Sequence, residues 1–392
     1  MSTMQVANRR LSRTIQLIPP SGIRRFFELA SSMEGVISLG VGEPDFVTPW
    51  NTREAAIASL EKGYTAYTSN SGLYELREEI CKYLAAAFDV HYSPDKEVVV
   101  TVGASEGIDL ALRAILDPGD EVLVVEPCYV SYDPVVRLAG GVPVAVQTSI
   151  EQQFKLMPQH IEEKVTDRTK AIIFCFPNNP TGSIMKKEEL AKLAEVVKRH
   201  DLIVISDEIY AELTYDTSHT SFASLPGMKE RTILLSGFSK AFAMTGWRIG
   251  YAAGPEDIIQ AMVKIHQYTM LCAPIMGQVA ALESLRHGME AKKRMVESYR
   301  QRRNYVVKAF EQIGLPCHKP EGAFYAFPSI ASTGMTAEEF AEKLILEQKV
   351  AVVPGHVFGE GGATHIRCSY ATSLENLEVA IDRMDAFLRV YK

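Results

Sequence analysis

Two hydrophobic patterns alternate along the chain. Short, nearly continuous apolar runs recur at Glu97–Val102, Glu121–Val125, Val142–Val146, Ala171–Phe176, Leu202–Ser206, Thr232–Ser236 and Arg248–Ala252. Their length and β-branched content predict strands, and the weak alternation with polar residues predicts strands covered on both faces. Between them, apolar residues spaced three and four apart predict helices. Examples are Lys187–His200 and the stretch from Gly103 through Leu116, which Pro118-Gly119-Asp120 ends. Strands separated by helices predict an α/β architecture with a mostly parallel sheet.

After about residue 290 the texture changes. A long charged helix is predicted over Ala291–Ile313, then a helix at Thr336–Gln348, short strands at Val350–Val353 and His365–Ser369, and a final helix. This reads as a second, smaller α+β domain. The first forty or so residues show no strand run of their own and could pack on it. The expected division is therefore a large domain over 48–289 and a discontinuous small domain made of 1–47 and 290–392. At about 150 residues per domain, 392 residues suit that count.

Composition narrows the function classes. The net charge of −7 and the lack of a basic block argue against a nucleic-acid partner, whose affinity would come largely from phosphate neutralisation. No apolar run approaches the roughly 18 residues of a membrane span. The segment MSTMQVANRRLSRT has arginines with no apolar stretch behind them, so a secretory signal is not expected. Cys81, Cys128, Cys175, Cys272, Cys317 and Cys368 lie far apart without a C-x-x-C pair, and the nine histidines form no H-x-x-x-H. A reduced, cytoplasmic protein without a metal centre is expected.

Ligands in α/β sheets bind outside the carboxyl ends of strands, and polar residues gather at those ends. Gly103-Ala104-Ser105 opens a helix with free amides suited to a phosphate. Asn178-Asn179-Pro180-Thr181-Gly182, Asp207-Glu208-Ile209-Tyr210 and Gly237-Phe238-Ser239-Lys240 follow three further strands. Lys240 reads either as a solvated loop lysine or as a Schiff-base lysine tuned by desolvation and nearby cations. Asp207 reads as a turn cap or as a buried carboxylate awaiting a cation. Tyr210 reads as a core aromatic or as a hydroxyl on the same side as Asp207. Arg248 opens an apolar strand and wants an anion. No P-loop and no complete G-x-G-x-x-G is present, because Gly40-Val41-Gly42 lacks the third glycine; a nicotinamide dehydrogenase is disfavoured.

Taken in order, Gly42-Glu43-Pro44-Asp45-Phe46, Tyr67 with Gly72 and Leu76-Arg77, Asn178–Gly182, Asp207–Tyr210, Ser239-Lys240 with Gly246–Gly250, and Arg367-Cys368-Ser369 resemble the fold-type I, pyridoxal-phosphate-dependent aminotransferases of class I/II. The resemblance spans nearly the whole chain and implies a transaminase with a ping-pong mechanism. An L-amino acid (alanine, aspartate or an aromatic one) would pass its amine by way of pyridoxal 5'-phosphate to a 2-oxo acid such as 2-oxoglutarate.

The same resemblance implies residue roles. Lys240 would hold the cofactor as a Schiff base and carry the proton taken from the substrate Cα. Asp207 would keep the pyridine nitrogen protonated. Asn179 and Tyr210 would hydrogen-bond the ring's phenolate oxygen, and Tyr129 would stack on the ring. Ala104, Ser105 and Arg248 would bind the phosphate, and Tyr67 would reach the phosphate of a neighbouring subunit in a homodimer with shared active sites. Arg367 would clamp the substrate carboxylate, and the backbone of Gly42 would lie against the substrate. One departure stands out: the serine many members carry three residues before the lysine is Gly237 here, so Ser239 or a backbone amide would substitute. For an acidic donor a second cation is needed; Arg113 is the nearest option but reads better as a solvated helix arginine. Ile18, Phe26, Phe27 and Ile37 could wall an apolar pocket or form plain core. The rivals are a lyase or decarboxylase on the same fold and a cofactor-sensing transcription regulator, the latter disfavoured by the acidic charge and the missing DNA-binding domain.

Overall fold

The computed structural model describes residues 10–20 and 22–391, with the backbone only at positions 24, 25 and 27. A two-residue strand, β1 (Ile37–Ser38), precedes a central sheet built from β2 (Val98–Thr101), β3 (Glu121–Glu126), β4 (Val142–Gln147), β5 (Thr169–Cys175), β6 (Ile203–Asp207), β7 (Thr232–Gly237) and β8 (Gly250–Ala253). The spatial order is β2-β8-β7-β6-β5-β3-β4. Only β8 runs against the rest, pairing antiparallel with both β2 and β7. The carboxyl ends of all the other strands therefore share one edge of the sheet.

The apolar runs are buried on both faces. Along β5, Ile172 and Phe174 pack with Leu193 and Val197 of the helix Lys187–Arg199. Ala171, Ile173 and Cys175 face the opposite way, into a cluster with Ile108 and Leu112 of the helix Gly103–Ile115. Ile172 and Ile173 are both fully buried, and each such side chain contributes roughly 1.5–3 kcal/mol. Two helical layers thus hold the sheet rigid and leave its strand ends free to carry chemistry.

The last third contains the long helix Met289–Gln312, β9 (Tyr325–Ala326), β10 (Val350–Ala351), β11 (Val353–Pro354) and β12 (Ile366–Ser369), and the helices Ala337–Gln348 and Leu374–Tyr391. Thr336 caps the first of that pair, its hydroxyl accepting from the Glu339 amide. The strand expected at Val350–Val353 is two short pieces. β10 pairs in parallel with β1, Ile37 opposite Val350, whereas β11 pairs antiparallel with β12, Val353 opposite Arg367. The N-terminal segment thus docks on the C-terminal third through a strand that the sequence pattern did not show. Residues 1–9, which hold part of the segment read for a signal, lie outside the described residues. No described helix is long and apolar enough to cross a membrane.

Candidate active site

A cavity of about 1010 Å³ opens at the shared carboxyl edge of the sheet. Gly42, Ala104, Ser105, Tyr129, Asn179, Asp207, Tyr210, Ser239, Lys240, Arg248 and Arg367 all line it. Tyr67, the remaining residue singled out by sequence, stands away from it, 82% exposed.

Lys240 lies just past the end of β7 and is partly buried. Its Nζ donates to the Gly42 carbonyl at 2.6 Å and sits 5.8 Å from the centre of the Phe324 ring. Burial, helped by the cations Arg367 and Arg248 and opposed by Glu43 and Asp207, pushes the amine down to about 8. A solvated loop lysine would show none of this.

Asp207 is the last residue of β6 and is buried. Tyr132 donates its hydroxyl to Oδ2 at 2.6 Å, and the Ile209 amide donates to Oδ1 at 3.2 Å. The second bond is the turn cap that the sequence allowed. Burial pushes this carboxyl up to about 6, and the neighbouring Glu208 adds to the shift; the two donors and Lys240 act against it. Its described hydrogen-bond partners are a phenol and an amide, neither of which brings a positive charge.

Arg367, in the middle of β12, is held by four neighbours. Its Nη1 donates to Asn179 Oδ1 at 2.9 Å and its Nη2 to the Gly40 carbonyl at 2.7 Å. The guanidinium lies over the rings of Tyr325 and Phe358, 4.4 and 4.9 Å from their centres. Nε is buried without a partner, so the fork retains N–H groups for an incoming carboxylate. Tyr210 is buried, with its hydroxyl 2.9 Å from that of Tyr325.

At the opposite wall, the helix Gly103–Ile115 points its first turn into the cavity. Gly103 has φ +76°, and a methyl there would strike the Arg248 guanidinium. Arg248 differs from expectation. Its φ of +55° puts it outside the β region, so β8 begins at Gly250 and the side chain is exposed, with Nη1 donating to the Thr245 carbonyl at 3.1 Å. Gly237 also acquires a reason. A Cβ there would lie 2.9 Å from Gly250 Cα and 3.0 Å from the Ile249 carbonyl, which leaves no room for a serine. Ser239 is buried and lines the cavity instead.

Arg113 pairs with Asp109 on its own helix, Nε to Oδ1 at 3.0 Å, and does not line the cavity. Phe26 is core, and Ile37 packs against that same core. Neither they nor Ile18 walls the cavity; the apolar lining comes from Ile23, Val41, Ile108, Val130 and Ile209. The side chain of Phe27 lies outside the described residues. Sequence reasoning missed Tyr132 and Tyr325. Tyr132 sits one helical turn after Tyr129, with their rings edge to face at 5.7 Å, and that spacing is a signal which could have found it.

The cavity thus gathers an amine of lowered basicity, a buried carboxylate whose described hydrogen-bond partners bring no positive charge, a helix N-terminus beside an arginine and a second arginine with a spare donor. An aldehyde, a ring nitrogen able to carry a proton, a phosphate and a carboxylate suit these groups chemically, so the residues present fit pyridoxal phosphate and an amino acid. The sequence matches the family described as "Aminotransferase class I and II" over residues 34–384. It is 62% identical to the "Putative aminotransferase YugH" of Bacillus subtilis (strain 168), covering 96% of this chain and 98% of that one. It is 48% identical to an aspartate aminotransferase of Pyrococcus abyssi, with 97% and 99% covered, and 44% identical to "Aromatic-amino-acid aminotransferase 2" of Thermococcus litoralis, again with 97% and 99% covered. Among solved structures, aspartate aminotransferase from Thermus thermophilus with maleate superposes with a TM-score of 0.91 at 40% identity over 97% of this chain and 100% of that one. The chain belongs to the class I and II aminotransferase family. It is a transaminase of fold type I that uses pyridoxal 5'-phosphate, with amino acids and 2-oxo acids as substrates.

Proposed function

We propose that the cavity is the transamination site and that its residues divide the work as follows. The carrying observation is that Lys240, Asp207 and Arg367, contributed by distant parts of the chain, line one cavity. When bound, pyridoxal phosphate supplies an aldehyde that takes up the donor's nitrogen and a ring that takes up the electrons of the bond broken at Cα. Arg367 binds the donor carboxylate through the N–H groups that Asn179 and Gly40 leave free. Lys240, whose amine loses its proton near pH 8, holds the aldehyde at rest and then takes and returns the Cα proton. Asp207 holds a proton on the ring nitrogen, and that positive charge draws the carboxyl back down from its raised value. Asn179 and Tyr210 serve the phenolate oxygen, and Tyr129 covers the ring. Ala104, Ser105, Ser239 and Arg248 take the phosphate. Gly42 keeps the strap beside the substrate free of a side chain.

The donor is an L-amino acid of the alanine, aspartate or aromatic kind, its side chain against Ile23, Val41 and Val130; the acceptor is a 2-oxo acid such as 2-oxoglutarate. The large domain is 48–289, and 1–47 with 290–392 form the small one. The working unit is a homodimer. Asn70 Nδ2 donates to the Leu271 carbonyl and ties the loop bearing Tyr67 to the segment bearing Tyr268. Tyr64, Tyr67, Tyr268, Met270 and Leu271 stand exposed there, an apolar patch suited to a second copy. All six cysteines are unpaired, which supports a cytoplasmic setting.

A half-reaction panel tests this reading. Holoenzyme mixed with each amino acid is expected to pass to the pyridoxamine form, seen by absorbance, with alanine, aspartate or an aromatic donor fastest. Added 2-oxoglutarate then restores the aldehyde form. Conversion by none of these donors would overturn the donor assignment.

A further inference from the structure

Tyr325 lines the cavity and touches both Tyr210 and Arg367. It is fully buried on β9, beside Ser369 of the strand that carries Arg367. Its hydroxyl lies 2.9 Å from that of Tyr210, and its ring face supports the Arg367 guanidinium at 4.4 Å. The strap closes on the same hydroxyl: a Cβ at Gly42 would lie 2.6 Å from it. A tyrosine hydroxyl has one proton to give. If Tyr210 spends its proton on the cofactor's phenolate oxygen, only Tyr325 can donate within the pair. The Arg367 charge on the ring face favours that direction, because it makes the Tyr325 hydroxyl a better donor.

We propose that Tyr325 is a positioning residue that joins the carboxylate clamp to the phenolate contact. Its hydroxyl donates to Tyr210 and so sharpens Tyr210 as a donor, and its ring fixes the plane of Arg367. The inference rests on the roles proposed above for Tyr210 and Arg367 and adds a residue whose two parts act separately.

Two variants separate those parts. Tyr325→Phe keeps the ring and removes the hydroxyl; Tyr325→Leu removes both. Without substrate, the pH titration of the holoenzyme's absorbance reports proton loss from the lysine–cofactor linkage, which a strong phenolate donor favours. In both variants the midpoint is expected to move to higher pH by about half a unit, the share of one neutral hydrogen bond passed on through Tyr210. Binding of the non-reacting carboxylates succinate and 3-phenylpropionate, by calorimetry, reports the clamp. Whichever of the two the wild type binds is expected to weaken less than twofold in Tyr325→Phe and about tenfold in Tyr325→Leu, the size of a desolvated cation–π contact. An unmoved midpoint in Tyr325→Phe overturns the hydroxyl role, and unweakened binding in Tyr325→Leu overturns the ring role. Failure of the underlying reading looks different: Tyr210→Phe would leave the midpoint in place, or Arg367→Leu would leave carboxylate binding intact.

Discussion

At the scale of single residues, the site is a set of charges held at unusual strength by burial. Lys240 and Asp207 are moved toward each other on the pH scale, to about 8 and about 6, by the same loss of water. Tyr132 resists the second shift, because its hydroxyl bonds the ionised carboxylate. Replacing Tyr132 by Phe therefore raises the Asp207 pKa further and leaves more of it protonated on the acid side of neutrality. Since the ionised form is the one that would hold the ring proton, the apoprotein's affinity for pyridoxal phosphate is expected to fall about tenfold below pH 6 and to recover as the pH rises. A cofactor titration of the Tyr132→Phe apoprotein that shows no such acid-side loss would contradict this. Lys240 and Asp207 stood out in the sequence because one follows and the other ends an apolar strand, where a charge needs a purpose. Tyr132 was marked only by its place one turn after Tyr129, and Tyr325 was not marked at all. A phenol amid apolar neighbours reads as core, and only the fold shows where its hydroxyl ends.

At the scale of elements, the strands that could be read are those longer than one period of the pattern. The five- to seven-residue runs of β3 to β7 declared themselves, whereas β1 and β9, at two residues each, carry no period at all, and β10 and β11 read as one strand. Their pairing is long-range, as with Ile37 and Val350. The boundary of β8 was misjudged for a local reason: the apolar run continues through Ile249, but the left-handed backbone at Arg248 starts the strand later. The same two strands explain the glycine that replaces a common serine. Gly237 and Gly250 are opposite one another in the β7–β8 pair, and neither has space for a side chain. Gly237→Ser is therefore expected to cost roughly 1–3 kcal/mol of stability by overpacking, with no gain in cofactor affinity. Thermal denaturation and cofactor titration of the apoprotein check both halves; a tighter-binding, equally stable variant would show that the strands can part.

At the scale of the whole molecule, the chain brings together residues from position 42 to position 367 by docking its N-terminal segment on its last third. The strap that follows β1 gives Gly40 and Gly42 carbonyls to Arg367 and Lys240, so the two cations are tied to one piece of backbone. Tyr67 does not line the cavity of its own chain and stands exposed. If the proposed homodimer brings Tyr67 to the other copy's cavity, sedimentation at micromolar concentration is expected to give twice the chain mass. Tyr67→Phe should then weaken cofactor binding although Tyr67 lies outside its own cavity; a monomer with full cofactor affinity would count against shared sites. The order of motifs along the chain was enough to show the architecture. The role expected for Tyr67 came from the resemblance and not from spacing, because an exposed tyrosine carries no mark of what it would touch.

The central claim is most directly tested by reducing the pyridoxal-phosphate-loaded enzyme with borohydride and mapping the modified peptide by mass spectrometry. The account predicts one cofactor mass per chain, fixed on Lys240 and absent from Lys240→Ala. Cofactor fixed on another lysine, or a Lys240→Ala protein that still carries it and turns over at the wild-type rate, would contradict it.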